Sequence, residues 1–188
     1  MKFRFNPLVV LATNTFAYTA HAASLPEQPR AANTCADPSL ADVVVQSYSS
    51  ANIAHILDFI GGIVATDSTE NGDWIIQTQS FRAWSSNEPF TVPLFRFFRN
   101  SPDIDYRYAI GQDISSPPTP PAGWSLHTLG GVAFAFIYPT QSCGSVALMG
   151  VSNAVVGDHW YTTNTRERDG FIQGGWTDEG VVGFVLPL

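Results

Sequence analysis

Alternating aromatic and polar positions recur along the chain. Pro93-Leu94-Phe95-Arg96-Phe97-Phe98 and Asp105-Tyr106-Arg107-Tyr108-Ala109-Ile110 change character at every second residue, the period of a half-buried β-strand. Val43-Val44-Val45-Gln46-Ser47-Tyr48 and Ala147 to Val151 predict two more strands, and Asp158-His159-Trp160-Tyr161-Thr162-Thr163 alternates again. A helical turn fits Thr165 to Gly174, with Asn164 or Thr165 as its N-cap and Gly174 as its stop. Ser115-Ser116-Pro117-Pro118-Thr119-Pro120-Pro121 lacks the amide hydrogens of a helix and predicts an extended surface loop. Ile53 to Ile63 fits a short helix or a strand equally well.

The pattern repeats at long range. Trp74, Trp124 and Trp176 are 50 and then 52 residues apart, each closely preceded by Gly. Gly175-Trp176 to Val185 aligns with Gly123-Trp124 to Phe134 through its Gly-Trp, a later Gly and an alternating apolar strand that ends at Pro187 or Pro139. Upstream, Asp158 to Thr163 falls opposite Asp105 to Ile110, and Ala147 to Val151 opposite Leu94 to Phe98. His55 lies 19 residues before Trp74, near the 17 that separate His159 from Trp176. These landmarks divide the chain into units of about 40–90, 91–140 and 144–188, each expected to hold about four strands, two of them after the tryptophan. One such unit buries too little surface to fold alone. The expected fold is therefore all-β with pseudo-threefold internal repeats in a single domain, residues 40–188. A compact three-bladed propeller-like ring fits the roughly 50-residue period and the helical turn better than the alternative, a β-trefoil.

The N-terminus adds a processing signal. Lys2 and Arg4, an apolar stretch from Leu8 to Ala12, and Ala20-His21-Ala22 read as a signal peptide over residues 1–22. It is too short and polar to span a bilayer, and residues 23–39 follow as an N-terminal strap. The expected location is secreted, extracellular or periplasmic, with no stable membrane insertion. Cys35 and Cys143 are the two cysteines, and in an oxidising compartment they predict one disulfide. Closing a loop of just over 100 residues is worth about 4–5 kcal/mol in the chain-entropy model.

Composition narrows the partners. Charged residues make up 13% of the 188, about half the usual share, while aromatics also make up 13% and 15 Gly and 13 Pro interrupt the apolar runs. Disorder, coiled coil and a multi-span membrane protein are excluded. The formal charge is −7 and Lys2 is the only lysine, so no basic face exists for nucleic acid. A monomer is expected.

Gly157-Asp158-His159-Trp160-Tyr161-Thr162-Thr163, followed by Glu167, Gly175-Trp176, Glu179-Gly180 and Phe184-Val185-Leu186-Pro187, resembles a secreted repeat family of unknown function found in bacteria and fungi. Its members show a His-aromatic-Tyr-Thr motif, a Glu a few residues on, and a Gly-aromatic followed by Glu-Gly, repeated two or three times. The match is fullest in the third unit. In the second, Tyr106 stands where histidine is expected, and the first keeps His55. The resemblance implies an extracellular accessory domain, alone or beside hydrolases of cell walls and proteins, and transfers no activity.

Candidate chemistry concentrates in the third unit. Trp160, Tyr161 and Trp176 offer flat faces to a sugar ring, and His159 with Asp158 and neighbouring carboxylates offers hydrogen bonds to hydroxyls. In an alternating strand, however, His159 and Tyr161 share one face. A buried His159 bonded to Glu167 or Glu179 then pins the unit, leaving Asp158 and Trp160 as the surface pair. His159 with Glu167 or Glu179 is also the candidate set for a small extracellular hydrolase. Asp178 and Glu179 project oppositely, which is wrong for a paired acid and base. No Gly-x-Ser-x-Gly elbow is present, and the glycine pairs at 61–62, 130–131 and 174–175 lack the context of a phosphate loop. His55, His127 and His159 are too far apart for a local metal motif, so no metal and no cofactor are expected. The residues favour a binding module for carbohydrate or a cell-surface polymer over catalysis, with a structural or inhibitory interaction protein as the third alternative.

Overall fold

The period-2 runs form strands, and every described strand pair is antiparallel. The computed structural model describes residues 34–69, 73–128 and 132–188; the predicted signal peptide and most of the strap lie outside them. In chain order the elements are β1 (Ala41–Ser49), β2 (Ala54–Phe59), α1 (Ile60–Thr69), β3 (Trp74–Trp84), β4 (Val92–Arg99) and β5 (Asp105–Ile110). They continue as β6 (Ser125–Leu126), β7 (Ala135–Ile137), β8 (Val146–Asn153), β9 (Asp158–Thr162), α2 (Thr165–Gln173) and β10 (Thr177–Val185). One sheet has the order β2–β1–β3–β7–β4–β5, with β6 also paired to β4, and the other has the order β10–β8–β9. Neither closes into a barrel. Two isolated bridges, Arg82 with Leu186 and Tyr138 with Phe184, stitch one sheet to the other.

Three sequence expectations change. Ile53 to Ile63 is both strand and helix, because β2 runs to Phe59 and α1 begins at Ile60. Two strands follow Trp124, the short β6 and β7, but not the other tryptophans: β3 begins at Trp74 and β10 follows Trp176 as single long strands. The cause is bulging. The pairing of β3 with β1 skips Gln77 and Ser80, and that of β10 with β8 skips Glu179 and Val182. Each skip reverses the in–out alternation, so one strand reads as two. Finally, Leu94, Phe95, Arg96 and Phe97 are all buried. β4 lies inside its sheet with both faces covered, so its alternation sorts aromatic from non-aromatic residues rather than core from solvent.

The edge strands β2, β5 and β9 each touch the other two. Their free backbone groups meet side chains instead of a neighbouring strand. The Tyr108 hydroxyl accepts from the Leu57 N–H at 2.8 Å and donates to the Leu57 carbonyl at 2.9 Å. The Tyr161 hydroxyl accepts from the Tyr108 N–H at 3.1 Å. Burial pushes both phenols well above the ordinary tyrosine range, so both remain protonated.

The disulfide forms as expected, linking Cys35 to Cys143 across 108 residues. Beside it the Ala36 N–H donates to the Tyr138 hydroxyl (3.0 Å) and the Trp84 indole donates to the Asp37 carbonyl (2.7 Å). The strap residues thereby close a second apolar cluster of Ala36, Ala41, Trp84, Phe136, Tyr138 and Leu186.

Candidate functional site

β9 carries four of the five predicted ligand-binding residues. His159 and Tyr161 share its inner face and are buried, which agrees with the pinning role. The partner differs from the expected one: His159 Nδ1 lies 2.8 and 3.0 Å from the two carboxylate oxygens of Asp105 on β5, in place of Glu167 or Glu179. Trp124 meets the His159 ring edge-on at 5.5 Å, and the Arg99 guanidinium lies over Trp124 at 5.1 Å. Burial is the largest influence on Asp105 and pushes its carboxyl up, while the hydrogen bond from His159 pulls it back.

Asp158 is not a surface residue either. It is buried, with Oδ2 2.7 Å from His55 Nδ1 and Oδ1 accepting the His55 N–H at 3.0 Å. Glu179 is exposed and accepts from Arg107 (2.9 Å) and the Ser152 hydroxyl (2.7 Å). Glu167 is exposed in the first turn of α2. His159, Glu167 and Glu179 thus have no hydrogen bond to one another among the described residues, and His159 is paired with Asp105 instead.

The two predicted tryptophans are brought together by α2. The Asn164 side chain caps its N-terminus, accepting from the Arg166 and Glu167 N–H groups at 3.0 and 3.4 Å. At the other end Gly175, with φ +91°, donates to the Ile172 carbonyl, and Trp176 N–H donates to the Phe171 carbonyl, both at 3.0 Å. This is a Schellman ending, which lays the residue after the glycine against the residue in the last turn. The Phe171 and Trp176 rings accordingly lie 4.7 Å apart. Trp160 adds to them at 5.3 Å from Phe171, followed by His55 at 4.8 Å from Trp160 and Tyr48 at 4.7 Å from His55. All five rings are partly exposed, in a continuous row. Gly170 and Gly174 flank Phe171 and Trp176 in an open shelf of about 330 Å³, with Glu167 at its edge.

Glu167 and Trp160 also border a polar cleft of about 250 Å³ lined by β1, β3 and the β9–α2 junction. Gln46, Thr78, Gln79 and Ser80 form one wall; Trp160 to Asn164 and Glu167 form the other. Gln46 is 1% exposed, and its Oε1, like the Ser80 Oγ and the Trp160 Nε1, is buried without a hydrogen-bond partner among the described residues. The sequence reading makes none of Phe171, Gln46 and Ser80 a site residue. The Gly174-Gly175-Trp176 helix ending is the signal that points to Phe171; the cleft needs the topology, since its walls are 80 or more residues apart in sequence.

A second cleft, of about 340 Å³, opens beside α1 and is lined by Asp58, Phe59, Arg96, Phe134 and small residues. Arg96, 3% exposed, donates to Asp58 Oδ2 at 2.6 Å, to the Leu57 carbonyl at 3.3 Å and to His127 Nδ1 at 3.0 and 3.2 Å. Its guanidinium lies 5.6 Å from the Phe134 centroid and 6.0 Å from that of Tyr106. Among the described residues no cluster of His, Cys, Asp and Glu could hold a metal ion, and no helix is long and apolar enough to cross a membrane.

A family model described as a domain of unknown function, DUF5648, matches residues 44–186, from β1 to just past β10, and the chain belongs to that family. No curated protein and no solved structure matches the chain.

Proposed function

We propose that this DUF5648 protein is a secreted binding module for carbohydrate or a cell-surface polymer, which it holds along the aromatic row at α2. The observation that carries this reading is the partly exposed run Trp160–Phe171–Trp176, with ring spacings of 5.3 and 4.7 Å, beside a polar cleft. Flat aromatic faces match the apolar faces of sugar rings, and polar groups at the side match their hydroxyls. The Cys35–Cys143 disulfide supports an oxidising, extracellular setting, in keeping with the signal read at residues 1–22. The test is a polysaccharide pull-down and glycan array with wild type and Trp176→Ala. Binding to a polymer that falls at least tenfold in the variant supports the reading. No binding to any polymer, or binding that ignores the substitution, overturns it.

The module is proposed to be three copies of one unit arranged as a three-bladed ring. Pairing registers support this: Tyr48 pairs with His55 and Ile75, Phe98 with Tyr106 and Ser125, and Ser152 with His159 and Thr177. The residue after each tryptophan thus meets the histidine or tyrosine position across one middle strand. The bulges of β3 and β10 fall at the same two offsets from Trp74 and Trp176. Contacts of one kind between units keep one rotational sense. Asp158 holds His55 and Asp105 holds His159; Tyr161 bonds to Tyr108, and Tyr108 to Leu57. Trp84 pairs with Phe136, Tyr138 with Phe184, and Leu186 returns to Arg82.

A further inference from the structure

Resting on the binding reading above, we propose that the cleft between β1, β3 and the β9–α2 junction is a subsite for one neutral sugar ring, recognised through Gln46, Ser80 and Trp160. Three buried polar atoms without partners stand on residues that line this one cleft: an acceptor (Gln46 Oε1), a donor (Trp160 Nε1) and a hydroxyl (Ser80 Oγ). Native proteins pair nearly all such atoms, and each unmet one carries a desolvation cost. Their concentration in a cleft open at one side marks a surface prepared for a ligand. Ser80 reaches it because the bulge in β3 lifts that residue out of the ladder.

The donor–acceptor set selects the ligand class. Gln46 Oε1 needs a donor and Trp160 Nε1 needs an acceptor; adjacent sugar hydroxyls supply both at once. A carboxylate or phosphate is acceptor-only and leaves Gln46 Oε1 facing a negative oxygen. The only charged residue lining the cleft is Glu167, which repels anions further. At about 250 Å³ the space falls below the roughly 300–1,000 Å³ of drug-sized sites and suits a single ring. The aromatic shelf begins next to it, since Trp160 belongs to the cleft and stacks on Phe171 of the shelf. A chain of sugars seated on the shelf would thus place one unit in the cleft.

The test titrates D-glucose, D-galactose, D-mannose and N-acetyl-D-glucosamine at millimolar concentrations into the full chain, following the Trp160 indole N–H resonance by NMR, with D-glucuronate as the anionic probe. At least one neutral sugar is expected to shift that resonance, and Gln46→Leu and Ser80→Ala to weaken the binding about tenfold each. Ser80→Ala, at a bulge and only partly buried, decides the matter where Gln46→Leu does not fold. Polymer binding lost in Trp176→Ala with no neutral sugar moving the Trp160 resonance leaves the aromatic shelf standing and overturns the subsite. A shift abolished by Gln46→Leu or Ser80→Ala supports the subsite even where polymer assays fail. Glucuronate binding as well as the neutral sugars overturns the proposed class.

Discussion

The two clefts each hold a buried polar side chain from a strand and treat it in opposite ways. Gln46 lies two residues before Tyr48 on β1, and Arg96 two residues before Phe98 on β4; Tyr48 pairs with His55 and Phe98 with Tyr106. In the Arg96 cleft every nitrogen of the guanidinium has a partner, and Asp58 balances its charge. His127 accepts at Nδ1 and must therefore carry its proton on Nε2. Across the other cleft Thr162, three residues past His159 as Asp58 is three past His55, brings no charge, and Gln46 Oε1 goes unpartnered. A buried polar position can thus serve the fold or a ligand, and the partner count tells which.

The largest expected effect breaks this contrast most directly. Arg96→Met strands the Asp58 carboxylate and is expected to cost about 3–5 kcal/mol, whereas Gln46→Leu removes an atom without a partner and should cost no more than about 1 kcal/mol. Urea unfolding of the two variants checks the difference, and equal losses would erase it. Next in size, Cys35→Ser with Cys143→Ser should lower stability by about 2–5 kcal/mol. The described strap residues Ala36 and Asp37 bond to Tyr138 and Trp84, neither of which lines the aromatic shelf, so polymer affinity per folded molecule should stay level; a parallel fall in affinity would tie the strap to the site.

Phe171→Ala sharpens the comparison from the ligand side. It removes the contact on which the helix ending and the aromatic row both rest, with an expected loss of about 0.5–1.5 kcal/mol from aromatic pairing and a polymer affinity lowered about tenfold or more. Calorimetric unfolding and a binding isotherm separate the two effects. The smallest effect concerns Asp73, whose carboxylate accepts from the Ser49 and Ser50 hydroxyls and the Ala51 N–H. The Ser50 hydrogen bond leads in holding its pKa down to about 2 from the ordinary 3.8. A depressed carboxylate stabilises fully above about pH 4 and loses that contribution as pH falls through 2. Asp73→Asn should flatten this part of the acid unfolding curve and leave both clefts unchanged; a curve identical to wild type would contradict it.

Much of this was legible in the sequence wherever the cause was local. The caps of α2, the irregular Pro-rich loop and the strand at 105–110 follow from residues within a few positions of each other. Cysteine arithmetic gave the disulfide. The strand count failed because bulges at Gln77, Ser80, Glu179 and Val182 shift the alternation inside a continuous strand. The sequence left His159 open between a buried pin and a binding residue; it is buried, and its carboxylate lies 54 residues away. The alignment of Asp105 with Asp158 held that clue, yet only the topology turns it into a contact between strands. The cleft stayed hidden for the same reason, since an unpartnered amide is a property of surroundings and Gln46 in a strand pattern looks like any polar residue.

The edge strands have one more consequence. β2, β5 and β9 face one another, and hydroxyls from Tyr108 and Tyr161 occupy amide groups that would otherwise invite another strand. Those phenols act as plugs. Replacing both with phenylalanine would keep the ring packing but unplug two edges, so crowded solutions of such a variant should grow β-rich aggregates sooner than the wild-type protein, from a fold whose core is otherwise intact.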